Sequence, residues 1–264
     1  MQVFPMQDAQ STEFYCSALD ILQQASVEYL VGGAFALRTY TGIERYTKDL
    51  DLMMRPRDVD RAIDAFRHAG FRADYAFSHW LAKAHRGEYF LDIIYRAGNG
   101  LCEVDDLWFE HSRETEIFER PLRICPPEEI IWQKAYIMER ERYDGADVAH
   151  LLRCCAAEMD WPRLLTRFGP DWRVLLGHLV LFGFIYPGER HLIPEHVLGD
   201  LLKRAGTERS ESLNGTPICQ GTLLSRAQYL PDVERWGFGD ARTKERSSMT
   251  EKELEEWTNA IDRE

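Results

Sequence analysis

Three short stretches of this 264-residue chain carry residue types that could do chemistry together. They are Gly32-Gly33, the run Thr47-Lys48-Asp49-Leu50-Asp51-Leu52, and Asp92 within Phe90-Leu91-Asp92-Ile93-Ile94. The acids fall on predicted strands. Alternate side chains of a strand share a face, so Asp49 and Asp51 project together while Leu50 and Leu52 enter the core. Two adjacent carboxylates repel, and one is pushed to protonate unless a cation compensates. A hard divalent ion with oxygen ligands is the natural compensation, and Asp92 on a neighbouring strand can complete the ligand set. Glu88, which would share the strand face of Asp92, is the alternative third ligand.

Mg²⁺ gives up its water reluctantly and commonly joins a few carboxylates to substrate phosphates, so such a site implies a nucleoside triphosphate as co-substrate. The glycine pair supplies the complementary half. At a helix N-terminus the free amides and the dipole attract phosphate, and the missing side chains let the backbone approach closely. Two Mg²⁺ ions could then activate an attacking hydroxyl and stabilise the leaving pyrophosphate, which is nucleotidyl transfer. Lys48 and Lys83 could balance the triphosphate, and Arg38 and Arg45 could touch phosphate or substrate. For each, the plainer alternative is a solvated surface charge.

Several elements must position these residues. Phe14, Ala18, Leu19 and Leu22 recur at helical spacing between Ser11 and Gln24. Glu28 to Val31 reads as a strand running into the glycine turn and a helix that begins near Ala34. Leu50 to Met54 is a second strand, and Asp58 to Ala69 is a helix stopped by Gly70. Trp80 to His85 and Tyr89 to Tyr95 form a hairpin around Arg86-Gly87. The expected fold is α+β: a small mixed sheet with helices on one face over residues 1–125, then a mainly helical region over 126–264. Helices are expected at Pro127 to Arg142, Ala146 to Ala157, Trp161 to Phe168 and Asp171 to Phe184. Gly206 to Gly221 reads as a flexible loop. Thr250 to Glu253 has capping-box spacing, ahead of a terminal helix with Leu254, Trp257 and Ile261 on one side.

The glycine pair, Asp49-x-Asp51 and Asp92, in that order, resemble the signature of the DNA polymerase β-like nucleotidyltransferase superfamily. The run from Arg45 to Leu52 is most similar to its small bacterial branches, which include drug-modifying nucleotidyltransferases and abortive-infection toxins. The resemblance spans about residues 28–150. It implies that Asp49 and Asp51 hold both ions, that Asp92 ligates the catalytic ion and helps deprotonate the acceptor, and that Gly32 and Gly33 cradle the β and γ phosphates. In the toxin branch a helical lysine and a downstream aspartate assist the site. Lys134 and Asp147 match them here, with Asp144 a rival to Asp147. Ala34 follows the glycines where some branches place a hydroxyl or an aromatic residue.

Composition narrows the remaining classes. A net charge of −12, from 32 basic and 44 acidic residues, repels polyphosphate backbones and favours a small-molecule or protein side-chain acceptor over RNA. No apolar run approaches a membrane span, and the N-terminus lacks the marks of a secretory signal, so no membrane and a cytoplasmic location are expected. The 6 cysteines form no C-x-x-C pair and read as free thiols, with Cys154-Cys155 packing in a helix. His79, His85, His111 and His150 lack the spacing of a zinc pair. Trp132, Tyr136 and Tyr143 read as core aromatics. The contrasting hypothesis is a non-catalytic interaction protein that kept the fold as one half of a toxin and antitoxin pair. The full acid set argues against it.

Overall fold

Apolar residues at helical spacing open the chain, and the structure, a computed structural model, describes residues 9–208, 217–243, 246, 247 and 249–260. It divides into two units, Met1–Pro126 and Pro127–Glu264. In the first, α1 (Ala9–Gln24) buries Phe14, Tyr15, Ala18, Leu19 and Leu22. β1 (Leu30–Val31) runs directly into α2 (Gly33–Thr41), which stops at Gly42 in the left-handed conformation. β2 (Asp51–Met53) leads to α3 (Val59–His68), which buries Val59, Ala62, Ile63 and Phe66. β3 (Arg72–Phe77), β4 (Leu81–Arg86), β5 (Tyr89–Ile94), the short α4 (Asp106–Glu110), β6 (Arg113–Ile117) and β7 (Arg120–Ile124) complete the unit.

Among the described residues, seven strands form one mixed sheet in the order β3-β4-β5-β2-β1-β7-β6. β2 pairs parallel with β5 and β1 parallel with β7, while the other neighbours are antiparallel. One face carries Leu50, Leu52, Ala82, Ala84, Leu91 and Ile93, all fully buried, and α1 and α3 pack on the sheet. At about 25 cal/mol per Å² of apolar surface removed from water, this layer is what holds the strands in register.

The fold is α+β, as expected, but its sheet is wider than the sequence implied. β3 escaped notice because only Ala73 is buried along an otherwise exposed or half-exposed strand. β6 and β7 escaped because Arg113–Ile117 is mostly charged, and their turn, Phe118-Glu119, takes positive φ (56° and 57°) without the glycine or asparagine that marks such turns.

The second unit is built mainly from helices: α5 (Pro127–Lys134), α6 (Gly145–Cys155), α7 (Trp161–Phe168), α8 (Trp172–Ile185) and α9 (Glu195–Thr207). A two-residue strand, β8 (Ile218–Cys219), precedes α10 (Leu230–Glu234) and pairs with β9 (Gly239–Asp240); α11 (Glu251–Asn259) follows. The helix expected to reach Arg142 ends at Lys134. The chain then doubles back through a bridge between Met138 and Tyr143, and the Asp144 amide donates to the Ile137 carbonyl. α9 was not expected, because only Val197 and Leu201 are buried along it. It runs into the start of the expected loop, whose residues 209–216 lie outside the described residues. The Thr250 capping box is present, with Glu253 returning the hydrogen bond, whereas Ile261 lies outside the described residues.

Among the described residues one stretch, Trp161–Ile185, is long and apolar enough by composition to cross a membrane, which the sequence reading did not anticipate. It comprises α7 and α8, interrupted by a 3₁₀ turn at Gly169–Asp171. Arg163 and Arg167 in it pair with buried Glu129, and Leu164, Phe168, Trp172, Leu175, Leu179 and Phe182 are core residues of the unit. Cys155 is buried and Cys154 exposed, both as free thiols.

Candidate active site: the acidic triad

Parallel pairing of β2 with β5 sets Asp51 directly opposite Asp92. The Asp92 amide donates to the Leu50 carbonyl at 3.0 Å, which ties the third acid to the strand bearing the first two. Asp49 stands just ahead of β2 rather than within it, and Leu50 and Leu52 are fully buried beneath. Asp49, Asp51 and Asp92 each present a carboxylate oxygen within 4.8 Å of the others. An oxygen-only donor set of this compactness suits a hard divalent cation. Glu88 is exposed in the turn after β4 and lies outside this group, so Asp92 is the third member.

Side-chain partners hold the first and third acids of the triad. Thr47 donates from Oγ1 to Asp49 Oδ1 at 2.6 Å, orienting the first carboxylate. The Lys83 ammonium on β4 donates to Asp92 Oδ1 at 2.7 Å. Burial pushes the Asp92 carboxyl above its ordinary range, the Lys83 ammonium opposes that shift, and the nearby Asp49 charge adds to it. Neither contact was foreseen. Lys83 was legible in retrospect, because a two-residue turn at Gly87-Glu88 pairs Arg86 with Tyr89 and so sets Lys83 opposite Asp92. Thr47 had the weaker signal of a hydroxyl two residues before an aspartate.

The glycine pair lies where β1 becomes α2. The Gly32 amide donates to the Asp51 carbonyl at 2.9 Å, and Gly32 is the N-cap of α2, with no side chain to accept from the first helical amides. Gly33 has φ +52°, and a Cβ there would fall 1.8 Å from Asp51 Oδ2. A side chain at position 33 would therefore strike the carboxylate itself. A Cβ at Gly32 would meet only the flexible end of Met53, at 2.7 Å.

Lys48 is exposed on the loop leading into Asp49, and Arg45 is exposed on the same loop. Arg38 pairs with Glu44 at 2.7 Å. His79 is held by the Gly98 carbonyl, and the group of three acids includes no histidine.

Lys134 and Asp147 lie in the second unit, and there they meet: Lys134 Nζ is 2.9 Å from Asp147 and 2.7 Å from Asp144. Both aspartates contact the lysine, so geometry does not choose between them. Arg142 also chelates Asp144 through Nε and Nη2. Burial raises the Asp144 carboxyl, but Arg142 and Lys134 outweigh it and bring it down to about 2. Of the three aromatics read as core, Tyr136 is buried against Phe168, Trp132 is half-buried beneath Arg167, and Tyr143 is half-exposed against His178.

No curated protein matches the chain. Among solved structures, the antibiotic-resistance factor ANT(2'')-Ia aligns at 18% identity over 65% of this chain and 98% of its own, with a TM-score of 0.45. The lincosamide antibiotic adenylyltransferase LnuA, solved with lincomycin bound, aligns at 17% over 54% and 96%, with a TM-score of 0.38. JHP933 from Helicobacter pylori aligns at 15% over 76% and 97%, with a TM-score of 0.35. A sequence model of a nucleotidyltransferase family, described as uncharacterised, matches residues 26–169. That match takes in more than half of the sequence and every acid of the triad, and the chain belongs to this nucleotidyltransferase family.

Proposed function

We propose that the protein transfers a nucleoside monophosphate from a nucleoside triphosphate, ATP among them, to an acceptor hydroxyl. The observation that carries this reading is the convergence of Asp49, Asp51 and Asp92 beside the Gly32-Gly33 entry to α2, within the residues the family matches. Asp49 and Asp51 would hold two Mg²⁺ ions, with Asp92 on one of them. When bound, the ions supply the positive charge that offsets the triphosphate and the leaving pyrophosphate. The first amides of α2 face the β and γ phosphates, and Lys48 serves the nucleotide. Asp92 accepts the proton of the attacking hydroxyl. The oxygen of that hydroxyl bonds to the α phosphorus as the bond to the β-phosphate oxygen breaks, and pyrophosphate departs. Rate enhancement comes from positioning and charge stabilisation.

The acceptor we favour is a small molecule or a protein side chain rather than RNA, and the protein is cytoplasmic on this reading. A net charge of −12 opposes a polyanionic acceptor. The deciding experiment incubates the protein with Mg²⁺ and each labelled nucleoside triphosphate, adding in turn hydroxylated amines, cell protein and total transfer RNA. Metal-dependent label in one of the first two supports the reading. Label in RNA, lost steeply as salt is raised, overturns the acceptor assignment. Absence of any metal-dependent nucleotide binding would favour the non-catalytic alternative.

A further inference from the structure

Four strands run a row of facing charged side chains across the sheet: Asp74 on β3, Lys83 on β4, Asp92 on β5 and Asp51 on β2, each in register with the next. Lys83 stands between two acids. Arg67 holds Asp74 at 2.7 Å, and Lys83 turns its ammonium to Asp92, with Nζ 4.7 Å from the Phe90 ring centre. The Asp92 side chain is only 13% exposed and that of Lys83 31%. The third acid of the triad thus already has a cation at hydrogen-bonding distance, supplied by the fold.

We propose that Lys83 is the resident counter-cation of Asp92 and holds the triad's affinity for bare divalent metal low, so that the ion is taken up together with the triphosphate. This rests on the triad being the metal site. A divalent ion approaching Asp92 meets an oxygen already engaged by an ammonium and a positive charge that repels it. The triphosphate adds negative charge at the site and lets the metal win the competition. Lys83 is a positioning residue here, acting through Asp92.

The test is Mn²⁺ binding without nucleotide, followed by electron paramagnetic resonance, on the full chain and on K83Q, K83R, D92N and the K83Q/D92N double variant. K83Q is expected to bind Mn²⁺ roughly tenfold more tightly than the unaltered protein, the size of a contact-pair coupling. K83R, which pairs with a carboxylate at least as firmly, is expected to bind no more tightly than the unaltered protein, and this comparison decides the matter if K83Q does not fold. In the D92N background K83Q should lose its effect. Mn²⁺ affinity in K83Q equal to or weaker than that of the unaltered protein, or a tighter K83R, overturns the role of Lys83 while leaving the metal site standing. Absence of saturable Mn²⁺ binding in both proteins overturns this inference, and its absence also after a nucleoside triphosphate is added overturns the metal site.

Discussion

Gly33 abuts the carboxylate of Asp51: a methyl group on its Cα would sit 1.8 Å from Oδ2 and 2.7 Å from Cγ. The residue that opens α2 is thus also the floor beneath the central acid of the triad. Its positive φ of 52° adds a second demand that only glycine meets without strain. Gly33→Ala is expected to destabilise the protein by about 1–3 kcal/mol and to displace Asp51, so that nucleotide and metal affinity fall together. Thermal denaturation and calorimetry with Mn²⁺ and a nucleoside triphosphate check this. A variant with native stability and affinity would show that the backbone relaxes at no cost.

Asp51→Ala separates chemistry from folding. Transfer should fall by a factor on the order of 10² to 10³ or more, since the variant loses charge stabilisation of the reacting groups. Stability of the metal-free protein should change by no more than about 1 kcal/mol, because a neighbouring like charge is removed along with the side chain's contacts. Turnover and urea unfolding, measured on the same preparation, are the checks, and normal turnover would sink the mechanism.

Acid should act on the second unit through Asp144. Its carboxyl is held at about 2, below the ordinary value of 3.8, by Arg142 and Lys134 against the effect of burial. A depressed carboxyl favours the folded state above its unfolded pKa and loses that contribution as pH falls through its folded value. The contribution, about 2 kcal/mol, is thus complete above roughly pH 5 and gone below about pH 2. Stability of Asp144→Asn measured against pH should lack this slope between pH 4 and 2, and an unchanged slope would assign it to other groups.

Glu129 is fully buried between two guanidinium groups, 2.5 Å from Arg163 and 3.0 Å from Arg167. Glu129→Ala removes the carboxylate between the two cations, although Arg163 keeps Glu128 at 2.7 Å, and is expected to cost about 3–5 kcal/mol, far more than an exposed ion pair would. Chemical denaturation gives the number. A loss under about 1 kcal/mol would mean that Glu128, already paired with Arg163, and water suffice for both arginines.

Much of this protein was legible before any coordinates. Helical spacing placed α1, α3, α6, α7 and α8 to within a few residues, because each buries a periodic apolar stripe. The triad could be read too, since period-two alternation around Leu50 and Leu52 leaves Asp49 and Asp51 no direction but outward. What alternation could not supply was the pairing of β2 with β5, which brings Asp92 opposite Asp51 from 41 residues along the chain. That register is set by burial of the shared apolar face, a property of the assembled sheet rather than of either strand. Strands β3 and β6 were invisible for the same reason: their side chains are largely solvated, and their backbones are held by neighbours' hydrogen bonds that no local pattern records. The sequence by itself determined which residues carry charge and which must be buried. Only the tertiary structure decided that Gly33 lies under Asp51 and that Lys83 answers Asp92, because such contacts follow from distances between segments, and those are set by packing.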